Sequence, residues 1–369
     1  MQAWKLAAGM AVAASTATAG GIERTAQSVA PIFEEGNYFE FSVGSVQPEV
    51  SGTAGGIDSV DMAADYTQLG FAYKHQFSDQ LSFALIYDQP FGADVAYPTG
   101  TGYPFAGATA ELNTAALTGV LRYQLNDNFS VHGGLRYQTI DATIAIPILA
   151  GVGVGYTATG EKDGATGYLL GVAYEIPDIA LRVALTYNSK IKHEINTPES
   201  WGGGAITRED ITEVNTPQSV NLDFQTGIAK DTLLFGGVRW VDWSEFDITP
   251  AQFASAPPFG SGGSLVDYDD DTITYNIGVG RRFTEEFAGS ISLSYEKSLG
   301  GFASNLGPTD GKLGVTIGGR YTMDNVTISG GINYTKIGDA NTVATAAPTI
   351  SDFSDNHAFG FGLKVGVTF

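Results

Sequence analysis

The chain has 369 residues, 48 of them glycine, with 16% charged residues, no cysteine and a formal net charge of -21. That acidity excludes a nucleic-acid partner, since a phosphate backbone needs a basic surface, and the lack of any run of about 18 apolar residues excludes a helical membrane protein. Sparse charge and a glycine share nearly twice the usual also argue against a helical or Rossmann-type enzyme.

In chain order, Lys5, the apolar stretch Leu6 to Ala14 and the small-x-small site Ala17-Thr18-Ala19 read as a secretory signal peptide over residues 1–19. Its removal would leave Gly20 at the terminus. The lack of cysteine fits export into an oxidising compartment. Residues 20–36 have no clean periodicity and are too few to fold alone. They either lean on the interior of a barrel or fray as free termini do.

Beyond residue 36 the chain alternates at period two, the period of a strand. Strands are expected at Asn37 to Gln47, Thr67 to Phe77, Leu81 to Tyr87, Leu117 to Leu125 and Phe129 to Ile140. They continue at Gly167 to Ile176, Ala180 to Ile195, Val220 to Ala229, Thr232 to Ile248 and Thr272 to Phe283. Phe287 to Leu299, Leu313 to Met323 and Val326 to Ile337 precede the closing strand. In that last one Phe359, Phe361, Leu363, Val365, Val367 and Phe369 alternate with glycines, Lys364 and Thr368, apolar outward and small or polar inward. Pairing it with the first strand removes an exposed edge.

The fold class is therefore all-β, a 14-stranded antiparallel transmembrane β-barrel over residues 37–369, and its strand number is even as in bacterial single-chain barrels. Tight turns rich in Asp and Asn alternate with long loops, which puts the turns and both termini on the periplasmic side. A mean hydropathy of +0.01 suits strands with one face on lipid and one on a polar interior. Parity places Tyr73, Tyr137, Tyr187 and Tyr334 with the lipid-facing set. The opposite face carries Lys74, Arg122, His132, Arg136, Glu175, Arg182 and Arg239 among others, a mixture that favours pairing across the lumen.

Asp88-Gln89-Pro90-Phe91-Gly92 combines a residue without a ladder N–H with a strand-weakening glycine, so the third strand either breaks there or ends at Tyr87. Ile144 to Ala150 makes the third long loop unusually apolar, so it either packs on the fourth loop, with Trp201, or binds something greasy. The four histidines are scattered, and neither HExxH nor GxSxG occurs. The acidic run around Tyr268 reads as a solvated loop and not as a calcium site.

Three segments carry a family resemblance: TYNSKIKHEI from Thr186, TPQSVNLDFQTGI from Thr216 and VRWVDWSEFDI from Val238. They resemble the Y-x-S-x-[IV]-K strand end, the L-P-x-x-[VL] strand start and the D/S-W-S-x-F signature of the FadL/TodX family of outer-membrane transporters for long-chain fatty acids and other hydrophobic compounds. The similarity extends from Gly36 to Phe369. It implies a hatch in the lumen at residues 20–36, including Gly20, Ile22, Arg24, Pro31 and Phe33. It also implies a capture groove on the outer loops at Ile146, Ile148, Leu149, Val152 and Trp201, and lateral exit at a strand-3 kink formed by Asp88, Pro90, Phe91 and Gly92. The chain departs from the family in its short hatch, where only Ala30-Pro31 stands for an Asn-Pro-Ala motif. It departs again after Tyr137, where Gln138 and Thr139 replace basic partners of a carboxylate. Either Arg136, Arg182 or Lys190 takes that role, or the substrate is not a carboxylate.

The expectation is a non-catalytic, passive diffusion channel in the outer membrane of a Gram-negative bacterium, for long-chain fatty acids or similar hydrophobic compounds. Its partners would be a hydrophobic small molecule, outer-membrane lipid and the β-barrel assembly machinery, with no cofactor or metal and a monomeric state. The alternative is a general aqueous porin with an Arg- and acid-lined lumen.

Overall fold

The computed structural model describes residues 22–148, 153–255, 262–343 and 350–369; residues 1–19, expected to be a signal peptide, and Gly20, Leu149 and Val152 lie outside these. Fourteen barrel strands follow one another: β1 (Tyr38–Glu49), β2 (Tyr66–Gln76), β3 (Leu81–Asp88, resuming as Gly92–Ala96), β4 (Thr109–Gln124) and β5 (Phe129–Ile146). Next come β6 (Tyr156–Ile176), β7 (Leu181–Asn188, resuming as Ile191–Trp201), β8 (Ile206–Thr216, resuming as Ser219–Ala229) and β9 (Thr232–Val241). The last five are β10 (Thr272–Arg282), β11 (Phe287–Glu296), β12 (Lys312–Met323), β13 (Val326–Ile337) and β14 (His357–Thr368). β14 pairs antiparallel with β1 from Tyr38↔Thr368 to Glu49↔His357, which closes the ring. A closed sheet satisfies every ladder group internally, the condition for strands in lipid.

The period-two pattern sorts side chains as expected. Phe361, Leu363, Leu135 and Ile317 lie exposed on the outer wall, while Lys74, Arg136, Gln138 and Glu296 are buried in the lumen. Tyr123 and Tyr321 near the short turns, with Tyr137, Tyr275 and Tyr334 toward the loops, form two outward girdles where a phenol reaches the headgroup region. Gly134 shows why small residues are needed inward: a Cβ there would run into the backbone of Gly119 on β4.

Several strands run further outward than their lipid-facing residues suggest. β4 starts at Thr109 instead of Leu117, β5 continues to Ile146 instead of Ile140, and β6 starts at Tyr156 instead of Gly167. The third loop shrinks accordingly, and the expected fourth loop is largely a hairpin. Its register holds from Arg182↔Gln225 to Asn188↔Ser219 and again from Ile191↔Thr216 to Trp201↔Ile206, with Ser189, Lys190, Pro217 and Gln218 left unpaired between. In the other direction β9 ends at Val241, short of Ile248, and gives way to a 3-10 turn at Trp243–Glu245.

The interruption reverses the hairpin's faces. Below it Ala184, Thr186, Asn188, Ser219 and Asn221 are buried toward the lumen. Above it Ile191, His193, Ile195, Val214 and Thr212 take that place, one residue out of phase. A shift of one residue turns every side chain to the other face, and Pro217, which cannot donate to the ladder, stands at the changeover. On β6 a bulge opposite Ile140 and Ala142 does the same. Outside the barrel at this level lies water instead of lipid, so Lys192, Glu194, Glu209 and Glu213 now face outward. The apolar face has turned in.

The outer end is capped by a five-stranded sheet made of Gly52–Ala54, Ile57–Asp58, Phe302–Ala303, Ala340–Val343 and Ile350–Phe353. Beneath it Tyr97, Tyr103, Phe105, Tyr156, Trp201 and Phe353 form a buried core.

Candidate functional site

The inward apolar faces above the changeover enclose a chamber of about 720 Å³ of open space, counting its mouth. Ile195 and Val214 come from the β7–β8 hairpin, Ile140, Ala142 and Ile144 from β5, and Ala110 and Leu112 from β4. Ile248, Pro250, Leu265, Val266 and Leu306 close it from the outer loops, and Ile22 forms its floor. Inward-facing polar atoms are confined to the hydroxyls of Thr197 and Thr212 among the described lining, because Glu111 and Thr143 border the chamber from outward-facing strand positions. Behind the wall Trp243 packs edge-on to Phe91 at 5.8 Å and against Tyr268 at 5.1 Å, and burial raises the phenol pKa of Tyr268 so that it stays neutral. Such a wall suits uncharged, hydrophobic matter.

Beside the chamber the barrel wall is interrupted. β2 pairs with β3 only from Phe71↔Tyr87 to Gln76↔Ser82, and β3 then breaks at Gln89, Pro90 and Phe91 before resuming at Gly92. Leu69, which has lost its ladder partner there, donates its N–H to Gln89 Oε1 at 2.8 Å. On the lumen side the backbone of Ile22 to Thr25 pairs with the broken stretch. Arg24 N–H donates to Pro90 O at 2.7 Å, Gly92 N–H donates to Ile22 O at 2.8 Å, and Glu23 lies opposite Phe91. The Arg24 guanidinium fills the interruption itself, ion-paired with Asp94 and 4.2 Å from the Tyr66 ring centroid. Gly92 leaves room for it, since a Cβ there would collide with that guanidinium. Phe91 is buried and tied both ways to Thr114, while Asp88 accepts from Thr25 Oγ1 at 2.8 Å.

The same N-terminal segment is held by buried polar and apolar contacts further down. Glu23 and Arg239 form an ion pair, both about nine-tenths buried or more, with Arg239 Nε donating at 2.7 Å. Asn221 and Gln68 donate to the carbonyls of Ala26 and Arg24. The 3-10 turn Ala30–Phe33 buries Pro31, Ile32 and Phe33 against Ala72, Ala84, Val120 and Leu169. Arg122 and Arg182 lie over the Phe33 ring at 4.9 and 4.8 Å, cation–π contacts made while Arg122 is also ion-paired with Glu175.

Of the residues expected to bind a head group, none reaches the chamber. Arg136 donates to Thr118 and Asn188, Arg182 sits over Phe33 and donates to Gln225, and Lys190 is outside, ion-paired with Glu245 at 2.7 Å. The outer groove also differs from expectation. Ile146 and Trp201 are buried, Trp201 against Tyr156 and Phe253 at 4.6 and 6.3 Å, whereas Ile148 is exposed. Glu199 locks that cluster, accepting from Tyr156 Oη and from the N–H groups of Gln252 and Phe253. The chamber wall itself was missed by the sequence reading. Its signal was present in the alternation of Ile191, His193 and Ile195 with charged residues.

A closed barrel with lipid-facing girdles, an internal apolar chamber and a segment lodged in its lumen is an outer-membrane transport protein in architecture. The chain belongs to the outer membrane protein transport family (OMPP1/FadL/TodX), whose model matches residues 8–369. No curated protein matches it in sequence. Its fold is similar to that of a Pseudomonas aeruginosa FadL homologue, at 14% identity and a TM-score of 0.76 over 92% of each chain. It is similar also to the Pseudomonas putida toluene transporter TodX, at 14% identity and a TM-score of 0.65, covering 91% of this chain and 90% of that one. The Ralstonia pickettii toluene transporter TbuX gives 12% identity and a TM-score of 0.63 over 96% and 97%.

Proposed function

We propose that this protein is a passive, non-catalytic channel that brings uncharged hydrophobic molecules through the outer membrane and releases them sideways into the bilayer. The observation that carries this reading is the contact between the apolar chamber and the interrupted wall: Ile22 and Ala93 line the one and belong to the other. Cargo enters past the outer loops, where Ile148 is exposed and where parting of the Trp201, Tyr156 and Phe253 cluster would uncover further apolar surface. It rests in the chamber, gaining roughly 25 cal/mol for each Å² of apolar surface removed from water. Residues 20–36 then act as the hatch. Withdrawal of Ile22 to Thr25 from Pro90 and Gly92 frees the interruption, and the cargo leaves between β2 and β3. Similar proteins named as toluene transporters favour small neutral cargo, as does a chamber wall without a cation. One chain completes the ring, which favours a monomer.

Uptake by cells lacking their own importer tests this. Labelled p-xylene and labelled oleate are supplied to cells carrying the wild-type chain or a Pro90→Ala, Gly92→Val double variant. Wild-type cells should take up p-xylene faster than oleate, and the double variant, with Arg24 displaced into the exit, should lose most of that gain. Large steady conductance steps in planar bilayers, with no hydrophobic uptake, would point to an aqueous porin instead.

A further inference from the structure

One polar atom in the chamber has nothing to bind. Thr212 lies on β8 opposite Ile195 of β7, its side chain only 3% exposed, and its Oγ1 has no hydrogen-bond partner among the described residues. Thr197, on the neighbouring strand, is equally buried, but its hydroxyl donates to the Ile195 carbonyl at 3.0 Å. Around Thr212 the wall is carbon, from Val214, Ile195, Ile140 and Ala158. An unpaired hydroxyl in such surroundings costs free energy that a valine of the same shape would not. The cost disappears when a ligand supplies the missing partner.

We propose that the chamber recognises neutral hydrophobic molecules bearing a single hydrogen-bonding oxygen, and that Thr212 Oγ1 is the residue that engages it. A hydroxyl both donates and accepts, so a phenol, an alcohol or a ketone satisfies it equally. A carboxylate does not fit. No cation stands on the described wall, and a buried anion without one is strongly disfavoured. Selection here works against two neighbours at once: pure hydrocarbons, which leave Thr212 unpaired, and acids, which leave their own charge unpaired. This rests on the chamber being the cargo site proposed above, and it adds what that site prefers.

The test compares p-cresol with p-xylene, in which a methyl replaces the hydroxyl, and with p-toluate. Binding to the purified protein in detergent is followed by tryptophan fluorescence, since Trp243 belongs to the apolar cluster behind the wall. After correction for partition into detergent, the wild type should bind p-cresol about tenfold tighter than p-xylene, the worth of one net hydrogen bond. Thr212→Val should abolish that preference while keeping p-xylene binding, and Thr212→Ser, which retains the hydroxyl, should restore it. A preference unchanged in Thr212→Val removes Thr212 from recognition but leaves the chamber as the cargo site. Binding of p-toluate as tight as that of p-cresol overturns the neutral class. No binding of any probe to folded wild-type protein overturns the chamber reading itself.

Discussion

The two ends of the lumen are built of opposite chemistry. The outer chamber is walled by Ile, Val, Leu and Ala, whereas the end with the tight turns holds a vestibule of about 1250 Å³ of space, open solvent included, lined by Glu34, Tyr38, Thr322, Arg320, Ser329 and Lys364. Between them lies the segment from Ile22 to Phe33, pinned by Glu23 to Arg239 and by Phe33 between two arginines. A hydrophobic molecule moving straight down would exchange an apolar wall for charge and water, which is uphill. Sideways the apolar surface runs from Ala93 to Phe91 as far as the interruption, which the Arg24–Asp94 ion pair fills. The contrast teaches that the chemistry of the wall, and not the width of the space, separates the two ends as surroundings for apolar matter.

That contrast can be broken most severely from the chamber side. Leu112→Asp puts an unpaired charge into the apolar wall, and binding of neutral aromatics should weaken by about a hundredfold in a fluorescence titration; unchanged affinity would mean that the cargo lies elsewhere. Arg239→Ala attacks the divider. It leaves Glu23 buried without its partner, at a cost of about 3–5 kcal/mol to the local arrangement. Amide hydrogen exchange over residues 22–33 should then accelerate strongly, while the barrel strands keep their protection. A smaller loss of protection in the same segment is expected for Phe33→Ala, since Ile32 and Pro31 still anchor the turn. Least of all should follow from Lys364→Ala in the vestibule, where the side chain pairs with Glu40 at 3.3 Å. Uptake of a neutral hydrocarbon should stay within about twofold, because the proposed route avoids this pair. A large drop would send the cargo through the vestibule after all.

Much of this architecture was legible beforehand because lipid imposes a simple rule on strands. Leu69, Phe71 and Tyr73, or Phe359, Phe361 and Leu363, alternate with small or polar residues, and the barrel strands and their tight turns follow from that. The break at Pro90 was visible for a different reason, the missing N–H of proline. What escaped was the wall above the membrane. There the strand continues but the outward residues meet water, so Glu209 and Glu213 look like loop, and the choice between a packed and an exposed third loop stays open until Ile146 and Trp201 are seen to be core. The surroundings of the expected head-group cations, which do not line the chamber, were hidden for a related reason. Parity places Arg136 and Arg182 in the lumen, but their partners, Asn188 and Phe33, come from distant parts of the chain.

By itself, then, the sequence determined period, strand number and closure, because these depend on local alternation and on the length of turns. It left open which way an apolar face points once the strand clears the bilayer. That depended on the paired interruption at Ser189-Lys190 and Pro217-Gln218 and on the bulge in β6, where a one-residue change of phase turns a lipid-facing stripe into the lining of a chamber. Only pairing in three dimensions sets that phase, since the same alternating residues satisfy either face equally well until their neighbours on β5 and β9 are in place.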